Sequence, residues 1–125
     1  MSTTRILAID DDEMVLNYLH RMLGQSYQLI LCGEPQVAAQ IAKAELPDLI
    51  LCDIDMPEMD GGSVLAALAE DSRTADIPFV YLTSIVSPSE VADLNGIVGG
   101  RPGISKRASL EEMIAAIEAN LAKTK

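Results

Sequence analysis

Acidic residues follow two short apolar segments of this chain, at the point where each segment ends. Asp10 to Asp12 come directly after Arg5–Ile9, and Asp53 and Asp55 come after the apolar run Leu49–Cys52. Carboxylates this numerous repel one another and raise some of their pKa values unless a cation offsets their charge. Oxygen ligands without a neighbouring histidine or cysteine favour a hard ion, and Mg²⁺ tolerates two carboxylates together with water. The pattern therefore predicts a Mg²⁺ site.

A hydroxyl group and an ammonium group follow two later apolar segments. Thr83 and Ser84 end the run I-P-F-V-Y-L-T-S, and Lys106 follows the pair Ile104-Ser105. A metal-bound carboxylate that faces a hydroxyl and an ammonium can accept a phosphoryl group, because the metal and the lysine neutralise the phosphoryl oxygens. Asp53 is then the nucleophile that becomes an aspartyl phosphate, and Thr83 donates a hydrogen bond.

Five apolar runs alternate with five helical patterns, and this alternation indicates the elements that place these residues. Strands that alternate with helices form right-handed crossovers and a parallel sheet covered on both faces. The carboxyl ends of all the strands then lie along one edge, where the residues named above would meet. We predict a single domain over residues 1–125. The predicted strands lie at about residues 5–9, 28–32, 49–53, 79–83 and 104–105.

Local signals predict where the helices begin. Asp12 is a candidate N-cap for the first helix, and Pro35 is expected at the first position of the second. The third helix is predicted from Ser63 to about Asp71. Ser87 and Ser109 each begin a capping box, S-P-S-E and S-L-E-E. The predicted inward positions are Val15, Leu19, Met22 and Leu23 on the first helix and Val37, Ile41 and Ala44 on the second.

The composition limits the classes of partner. Nine basic and nineteen acidic residues give a net charge of −10, which repels phosphate backbones and anionic membrane surfaces. We therefore expect no direct binding to nucleic acid or membrane. The short polar N-terminus and the absence of a long apolar run favour a cytoplasmic location. Cys32 and Cys52 lie in strand-like runs without C-x-x-C spacing and are expected to be reduced, buried thiols.

Four motifs together resemble the receiver domain of bacterial two-component response regulators, the CheY-like family. They are I-L-A-I-D-D-D, D-I-D-M-P-E-M-D-G, L-T-S, and a lysine after a short last strand, in the family's order and approximate spacing. The resemblance covers essentially the whole chain. It implies an α/β flavodoxin-like (βα)5 three-layer sandwich, with a five-stranded parallel sheet in the order 2-1-3-4-5 and helices on both faces.

The resemblance also implies a role for each matching residue. Asp53 matches the phosphoacceptor, Asp11 the direct Mg²⁺ ligand, and Asp10 the acid that holds the metal through water. The backbone carbonyl of Asp55 would complete the implied metal site, whose other members are Asp10, Asp11 and Asp53.

Thr83 and Lys106 match the pair that senses the phosphoryl group and relays its presence to the surface formed by the fourth helix, the fifth strand and the fifth helix. The implied partners are a sensor histidine kinase or phosphotransfer protein and a downstream protein target that the sequence does not identify. The fourth helix is short and broken by glycine, so a monomer is favoured over a dimer.

Two positions depart from the family pattern. Arg107 stands where the family usually has a proline, often with a cis Lys-Pro bond, and a cis bond without proline costs about 3 kcal/mol. We therefore predict a trans Lys106–Arg107 peptide and a different loop. Gly103 stands at the family's switch aromatic, so an inward ring movement at this position cannot be the output. The glycine-rich segment from Gly96 to Gly103 is instead a candidate for a change in order.

Three functions fit these residues. The first is a phosphorylation-switched signalling module that is not an enzyme in the usual sense and catalyses only its own phosphorylation and slow dephosphorylation. The second is a hydrolase, because D-I-D resembles the nucleophile motif of haloacid-dehalogenase-like phosphatases, with Asp53 as nucleophile and Asp55 as acid/base. That family places the motif on its first strand, whereas here it lies on the third. The third is a pseudo-receiver that docks independently of phosphorylation.

Overall fold

The computed structural model describes residues 3–84, 87–93, 97–98 and 101–122. Strands and helices alternate along these residues, as the apolar pattern predicts. The strands are β1 (Arg5–Ile9), β2 (Gln28–Cys32), β3 (Leu49–Asp53), β4 (Phe79–Thr83), β5 (Ile97–Val98) and β6 (Arg101–Ser105). The helices are α1 (Glu13–Leu23), α2 (Ala38–Glu45), α3 (Gly61–Ala69), α4 (Pro88–Asp93) and α5 (Leu110–Ala122), with a 3₁₀ turn at Pro35–Val37.

The sheet is parallel from β2 to β6, and its order is β2-β1-β3-β4-β6-β5. The predicted order 2-1-3-4-5 is confirmed, with β6 as the fifth parallel strand. The prediction that this strand comprises only residues 104–105 is wrong, because it begins at Arg101. The residues that lengthen it pair with the antiparallel β5, Ile97 with Pro102 and Val98 with Arg101. The glycines around this hairpin interrupt its apolar pattern, so the sequence did not predict it. Part of the segment from Gly96 to Gly103, for which a change in order is proposed, lies outside the described residues, at positions 96, 99 and 100.

Two apolar cores lie on the two faces of the sheet. One contains α1 and α5, with Leu16, Leu19 and Leu23 packed near Met113 and Ile117. The other contains α2 and α3, and the partners there are Ala38, Ala42, Val64 and Leu68 with Phe79 and Tyr81 of β4. Every residue of β3 and β4 is buried, which is expected of central strands in a sheet covered on both faces. The two central strands therefore give Asp53 and Thr83 a rigid base.

The predicted helix caps are present. The Asp12 side chain accepts a hydrogen bond from the N–H of Met14 at 2.9 Å. In the capping box at Ser87, Glu90 accepts the N–H of Ser87 and donates its own N–H to the serine hydroxyl. The box at Ser109 has the same reciprocal bonds with Glu112. These four-residue signals are local, so they can be identified without knowledge of the tertiary structure.

Four details of the helices differ from the prediction. Pro35 begins a 3₁₀ turn, and the α-helical part of this segment starts only at Ala38. The inward face of α2 carries Ala38 and Ala42, whereas Ala44 is exposed. The helix α3 runs from Gly61 to Ala69, two residues earlier than predicted, because Asp60 rather than a later residue caps it. On α1 Leu16 is fully packed and Val15 only half-buried. Because the alanines of α2 are alike in size and polarity, the sequence does not show which of them face inward, and packing against the sheet decides this.

Both thiols are expected to be unreactive in the folded protein. Cys32 and Cys52 are free and buried. Burial raises the pKa of both thiols, and the charges of Asp53 and Asp10 raise that of Cys52 further. Only the thiolate reacts rapidly with a disulfide reagent. We expect no thiol to react with such a reagent at pH 8 in buffer, and two per chain to react in concentrated urea, measured by absorbance. A thiol that reacts at once in buffer would contradict this burial.

None of the helices in the described part of the chain combines the length and the apolar character that crossing a membrane requires.

Candidate functional site

The carboxyl ends of β1 and β3 bring three carboxylates together. The two strands are neighbours in register, with Ile9 opposite Cys52, so the residues that follow them are adjacent. One carboxylate oxygen from each of Asp10, Asp11 and Asp53 lies within 4.8 Å of the others. Asp10 is buried, Asp53 is largely buried and Asp11 is exposed. The predicted acidic cluster therefore exists and has an open side at Asp11.

Asp10 is the most enclosed of the three. Its side chain is 0% exposed, and its Oδ1 accepts the N–H of Asp12 at 2.9 Å. Its Oδ2 lies 2.8 Å from Nζ of Lys106. This ion pair is the contact that neutralises Oδ2, since no other donor reaches that oxygen among the described residues. A buried carboxylate oxygen in this state requires a positive charge beside it.

Lys106 reaches the carboxylates from the end of β6. Its backbone N–H donates to the carbonyl of Thr83 at 2.7 Å, which continues the pairing of β6 with β4 by one residue. Its Nζ lies 2.8 Å from Oδ2 of Asp10 and 3.1 Å from Oδ1 of Asp53, and only 18% of its side chain is exposed. Lys106 therefore bridges two carboxylates and is not an ordinary surface lysine.

The pKa values show how closely these charges interact. Burial and then the charge of Asp10 raise the pKa of Asp53, although Lys106 partly opposes them. Burial favours the neutral amine of Lys106, but its contact with Asp10 and then the charge of Asp53 outweigh that effect, so its pKa is raised. One ammonium group therefore does not fully offset the carboxylates around it, and the cluster has room for more positive charge.

The carboxylates and Lys106 line a cavity of about 270 Å³ at the carboxyl edge of the sheet. Every residue that the sequence assigns to the site contributes to its wall. The lining residues are Asp10, Asp11, Asp12, Asp53, Ile54, Asp55, Thr83, Ser84 and Lys106. Thr83 is 3% exposed at the end of β4, whereas the side chain of Asp55 is exposed and lies outside the group of three carboxylates. Polar groups therefore dominate the cavity, which suits a small anion bound with a cation.

The donor set fits a divalent cation. Asp10, Asp11 and Asp53 supply oxygen ligands only, and Asp10 is 0% exposed, so its carboxylate needs positive charge from the protein or from a bound ion. Hard ions such as Mg²⁺ bind through a few carboxylates and retain several waters, and the exposed side of this cluster leaves space for water.

The loop after Asp53 packs against Tyr81, a residue that the sequence analysis missed. The N–H of Gly61 donates to the carbonyl of Ile54 at 2.9 Å and closes the loop. A Cβ atom on Gly61 would lie 2.8 Å from the carbonyl oxygen of Asp53 and 2.9 Å from the ring of Tyr81. Tyr81 lies in register with Gly103, so its ring stands beside the position where the family has its switch aromatic. Only the sheet register could have indicated this contact.

Replacing Gly61 by alanine is expected to destabilise the protein by about 1–3 kcal/mol, the usual cost of overpacking. The added methyl group would meet backbone of Asp53, which cannot move without displacing the proposed phosphoacceptor. Gly62→Ala is the matched control, because its Cβ would find only ordinary contacts at 3.6 and 3.8 Å and alanine favours the helix. Urea unfolding of both variants measures the difference. Equal stability of the two would contradict the tight fit at Gly61.

The turn after β6 accounts for the loss of the family's proline. No peptide bond is cis among the described residues, so the predicted trans bond between Lys106 and Arg107 is confirmed. The N–H of Arg107, which proline would lack, donates to Oγ of Ser105 at 3.1 Å. Ser105 is 1% exposed and is the second residue that the sequence analysis missed. A serine before the lysine was visible in the sequence, but its partner was not.

Comparison with known proteins identifies the family to which the chain is similar. The family model of the response regulator receiver domain matches residues 6–118. Response regulator MprA of Mycobacterium leprae is 37% identical over 123 residues, which cover 97% of this chain and 52% of that protein. The DNA-binding dual master transcriptional regulator RpaA of Synechocystis is 34% identical over 126 residues, with 96% of this chain and 50% of that protein covered. The chain thus spans about half the length of these curated relatives.

A solved structure agrees with the fold. The N-terminal domain of a response regulator receiver protein from Methanoculleus marisnigri is 30% identical, with a TM-score of 0.69 over 94% of this chain and 96% of that one. The family model covers residues 6–118 of the 125, and the chain therefore belongs to the response regulator receiver family.

Proposed function

We propose that this chain forms one receiver domain that accepts a phosphoryl group on Asp53 and signals through the resulting change in its surface. The observation that carries the proposal is the position of Lys106, whose Nζ contacts both Asp10 and Asp53 at the wall of one polar cavity. A lysine beside two carboxylates can neutralise an incoming phosphoryl group and then hold the product. Membership of the receiver family supports the same function.

Phosphoryl transfer would take place between Asp53 and a phosphohistidine of a partner. A carboxylate oxygen of Asp53 forms a bond to phosphorus while the bond from phosphorus to the imidazole nitrogen breaks, and the nitrogen keeps the electron pair. Lys106 offsets the charge of the phosphoryl oxygens, and Thr83 donates a hydrogen bond to one of them. Burial and the charge of Asp10 raise the pKa of Asp53, and a bound cation would oppose that shift and favour the nucleophilic carboxylate.

Asp10, Asp11 and Asp53 would hold a Mg²⁺ ion, together with the backbone carbonyl of Asp55. The ion would supply the positive charge that one lysine cannot, both to the three carboxylates and to the phosphoryl oxygens. Asp10 fits the ligand that acts through water, because its carboxylate is buried and already contacts Lys106.

The implied partners are a sensor histidine kinase or phosphotransfer protein and a downstream protein target. The output would come from the surface around α4, β6 and α5, because Thr83 and Lys106 lie at the ends of β4 and β6. Gly103 has no side chain to move, so the response would differ from an inward movement of an aromatic ring at this position. The net charge of −10 opposes direct contact with nucleic acid, so the DNA binding that the name of RpaA gives for that relative is not proposed for this chain.

The phosphatase alternative has less support than the receiver function. It requires Asp55 as the acid/base beside Asp53, but the side chain of Asp55 is exposed and outside the carboxylate group. The D-I-D motif also lies on the third strand rather than the first. The remaining alternative is a pseudo-receiver that docks without phosphorylation, and experiment must distinguish it from a phosphorylated receiver.

The test is the intact mass of the chain after incubation with phosphoramidate and Mg²⁺. We expect one added phosphoryl group, which does not form when a chelator replaces Mg²⁺ and is absent in Asp53→Asn. Glu58→Gln, an acid in the same loop outside the residues that line the cavity, is the matched control and should accept the group as the native chain does. No adduct on the native chain, with a second receiver labelled under the same conditions, would favour the docking module instead.

A further inference from the structure

The connection from β6 to α5 is a hydrogen-bonded turn that begins at Ser105. The N–H of Ala108 donates to the carbonyl of Ser105 at 3.0 Å, which makes Lys106 and Arg107 the two central residues. Oγ of Ser105 accepts the N–H of Arg107 at 3.1 Å, so the first residue of the turn is joined to the third as well as to the fourth. Serine at the first position commonly forms this bond and fixes the direction of the turn.

The serine hydroxyl is not a surface feature. Ser105 is 1% exposed and lies in register with Thr83, whose carbonyl accepts the N–H of Lys106. The backbone of Lys106 is thereby held on one side by β4 and on the other by the turn. A buried hydroxyl without a partner would cost stability, and here the Arg107 N–H is its partner.

A proline at position 107 could not make this turn in the same way. It has no N–H to donate to the serine, and a trans proline at the third position of a common turn forces the residue before it out of the helical region. A cis proline reverses the chain at the same position by a different geometry. In this chain the direction of the turn is set by the hydrogen bond between the Ser105 hydroxyl and the Arg107 N–H, and a proline ring is not needed.

We propose that Ser105 is a positioning residue for Lys106. Its hydroxyl holds the turn, and the turn directs Nζ of Lys106 to the two carboxylates at 2.8 and 3.1 Å. The proposal rests on the proposed function for its consequence in phosphoryl transfer. Its structural content, the placement of Nζ, can be measured without any phosphoryl donor.

The first experiment measures the accessibility of Lys106 without metal or donor. The chain is treated briefly with an amine-acylating reagent, and modification of Lys106 relative to Lys43 on α2 is quantified by peptide mass spectrometry. Loss of the turn should free Nζ from its ion pairs, so Ser105→Ala should raise the relative modification at least about fivefold. Ser105→Thr keeps the hydroxyl and should restore the native value.

Ser109→Ala is the matched control. Ser109 lies in the same connection and its hydroxyl accepts the N–H of Glu112, so its loss weakens the start of α5 without touching the turn. Equal modification of Lys106 in the two alanine variants would show general loosening and overturn the proposal. If Ser105→Ala does not fold, Ser105→Cys keeps a side chain of similar shape and weakens the same hydrogen bond, because a thiol sulfur is a poor acceptor. Native modification of Lys106 in that variant would also overturn the proposal.

The second experiment measures phosphorylation by phosphoramidate in saturating Mg²⁺. Ser105→Ala should slow the reaction roughly 10- to 100-fold, since a displacement of about 1 Å can cost ~100-fold in rate. Its Mg²⁺ affinity, measured by NMR titration, should remain within about twofold of the native value, because the three carboxylates are unchanged. A native rate in Ser105→Ala would overturn this proposal alone, whereas a native chain that takes up no phosphoryl group would remove the proposed function itself.

Discussion

Replacing Lys106 by methionine is expected to slow phosphorylation by a small donor about 100-fold or more, the usual effect of removing one group that stabilises developing charge. The native Nζ contacts both Asp10 and Asp53, so methionine removes the positive charge that neutralises these two carboxylates. Methionine keeps most of the length of the side chain and limits the change in packing. Rates are measured by intact mass against time, at several concentrations of Mg²⁺.

The same substitution should destabilise the chain without Mg²⁺ by about 2–3 kcal/mol, somewhat less than breaking a fully buried ion pair. The reason is that Asp10 is completely buried and would lose its cationic neighbour. Lys43→Met is the matched control, since Lys43 lies on α2 and does not line the cavity. A Lys106→Met chain that is phosphorylated at the native rate would contradict the role given to this lysine.

Asp53→Asn is expected to make the metal-free chain more stable at pH 7 although it abolishes phosphorylation. The pKa of Asp53 is raised in the folded state, so ionisation of this group opposes folding, and its stabilising effect is present only at low pH and is lost as pH rises through that pKa. The side-chain amide of asparagine has a similar shape but does not ionise, so the variant avoids this loss of stability. We expect the melting temperature to rise by roughly 2–5 °C, which corresponds to less than about 1 kcal/mol in a chain of this size.

The predicted difference in stability between the native chain and Asp53→Asn depends on pH. As pH falls through the raised pKa, the native carboxyl group becomes as neutral as the amide, and the difference between the two proteins should disappear. Thermal unfolding of both at pH 7 and at acid pH measures it. A variant less stable than the native chain at pH 7 would indicate that the ion pair with Lys106 outweighs burial and the charge of Asp10.

Magnesium should reverse the order of the two stabilities. A ligand that binds the folded chain at 100 times its dissociation constant stabilises it by about 2.7 kcal/mol. The native chain has all three carboxylates and should gain this stability, whereas Asp53→Asn lacks one ligand and should gain less. Calcium-free and magnesium-free buffers with a chelator provide the reference. Equal gains for both proteins would place the cation outside this cluster.

Much of the site could be predicted from the sequence because its residues follow apolar runs directly. A buried strand in a parallel sheet is a continuous apolar segment, and the first polar residue after it must lie at the carboxyl edge. This is why Asp10, Asp53 and Thr83 line one cavity, as expected. The capping boxes at Ser87 and Ser109 could be identified for a similar reason, since all their bonds lie within four residues.

The sequence was less informative where local signals are weak or conflict. Ala38, Ala42 and Ala44 are alike in size and polarity, so contact with the sheet decides which of them is buried. Glycine and proline around β5 and β6 mask a short hairpin, in which Arg101 and Pro102 pair with β5 while the rest of β6 pairs with β4. Pairing between strands is a non-local interaction and outweighs the local preference.

The sequence by itself determined the alternation of strands and helices, the residues at the strand ends and the trans peptide after Lys106. Each of these depends on covalent chemistry or on neighbours within a few residues. Only the tertiary structure decided that Lys106 bridges two carboxylates, that the ring of Tyr81 packs on Gly61, and that Ser105 holds the turn. These contacts join segments far apart in the chain or depend on the direction of a turn, and both are fixed only when the strands take their register and the cores on each face are packed.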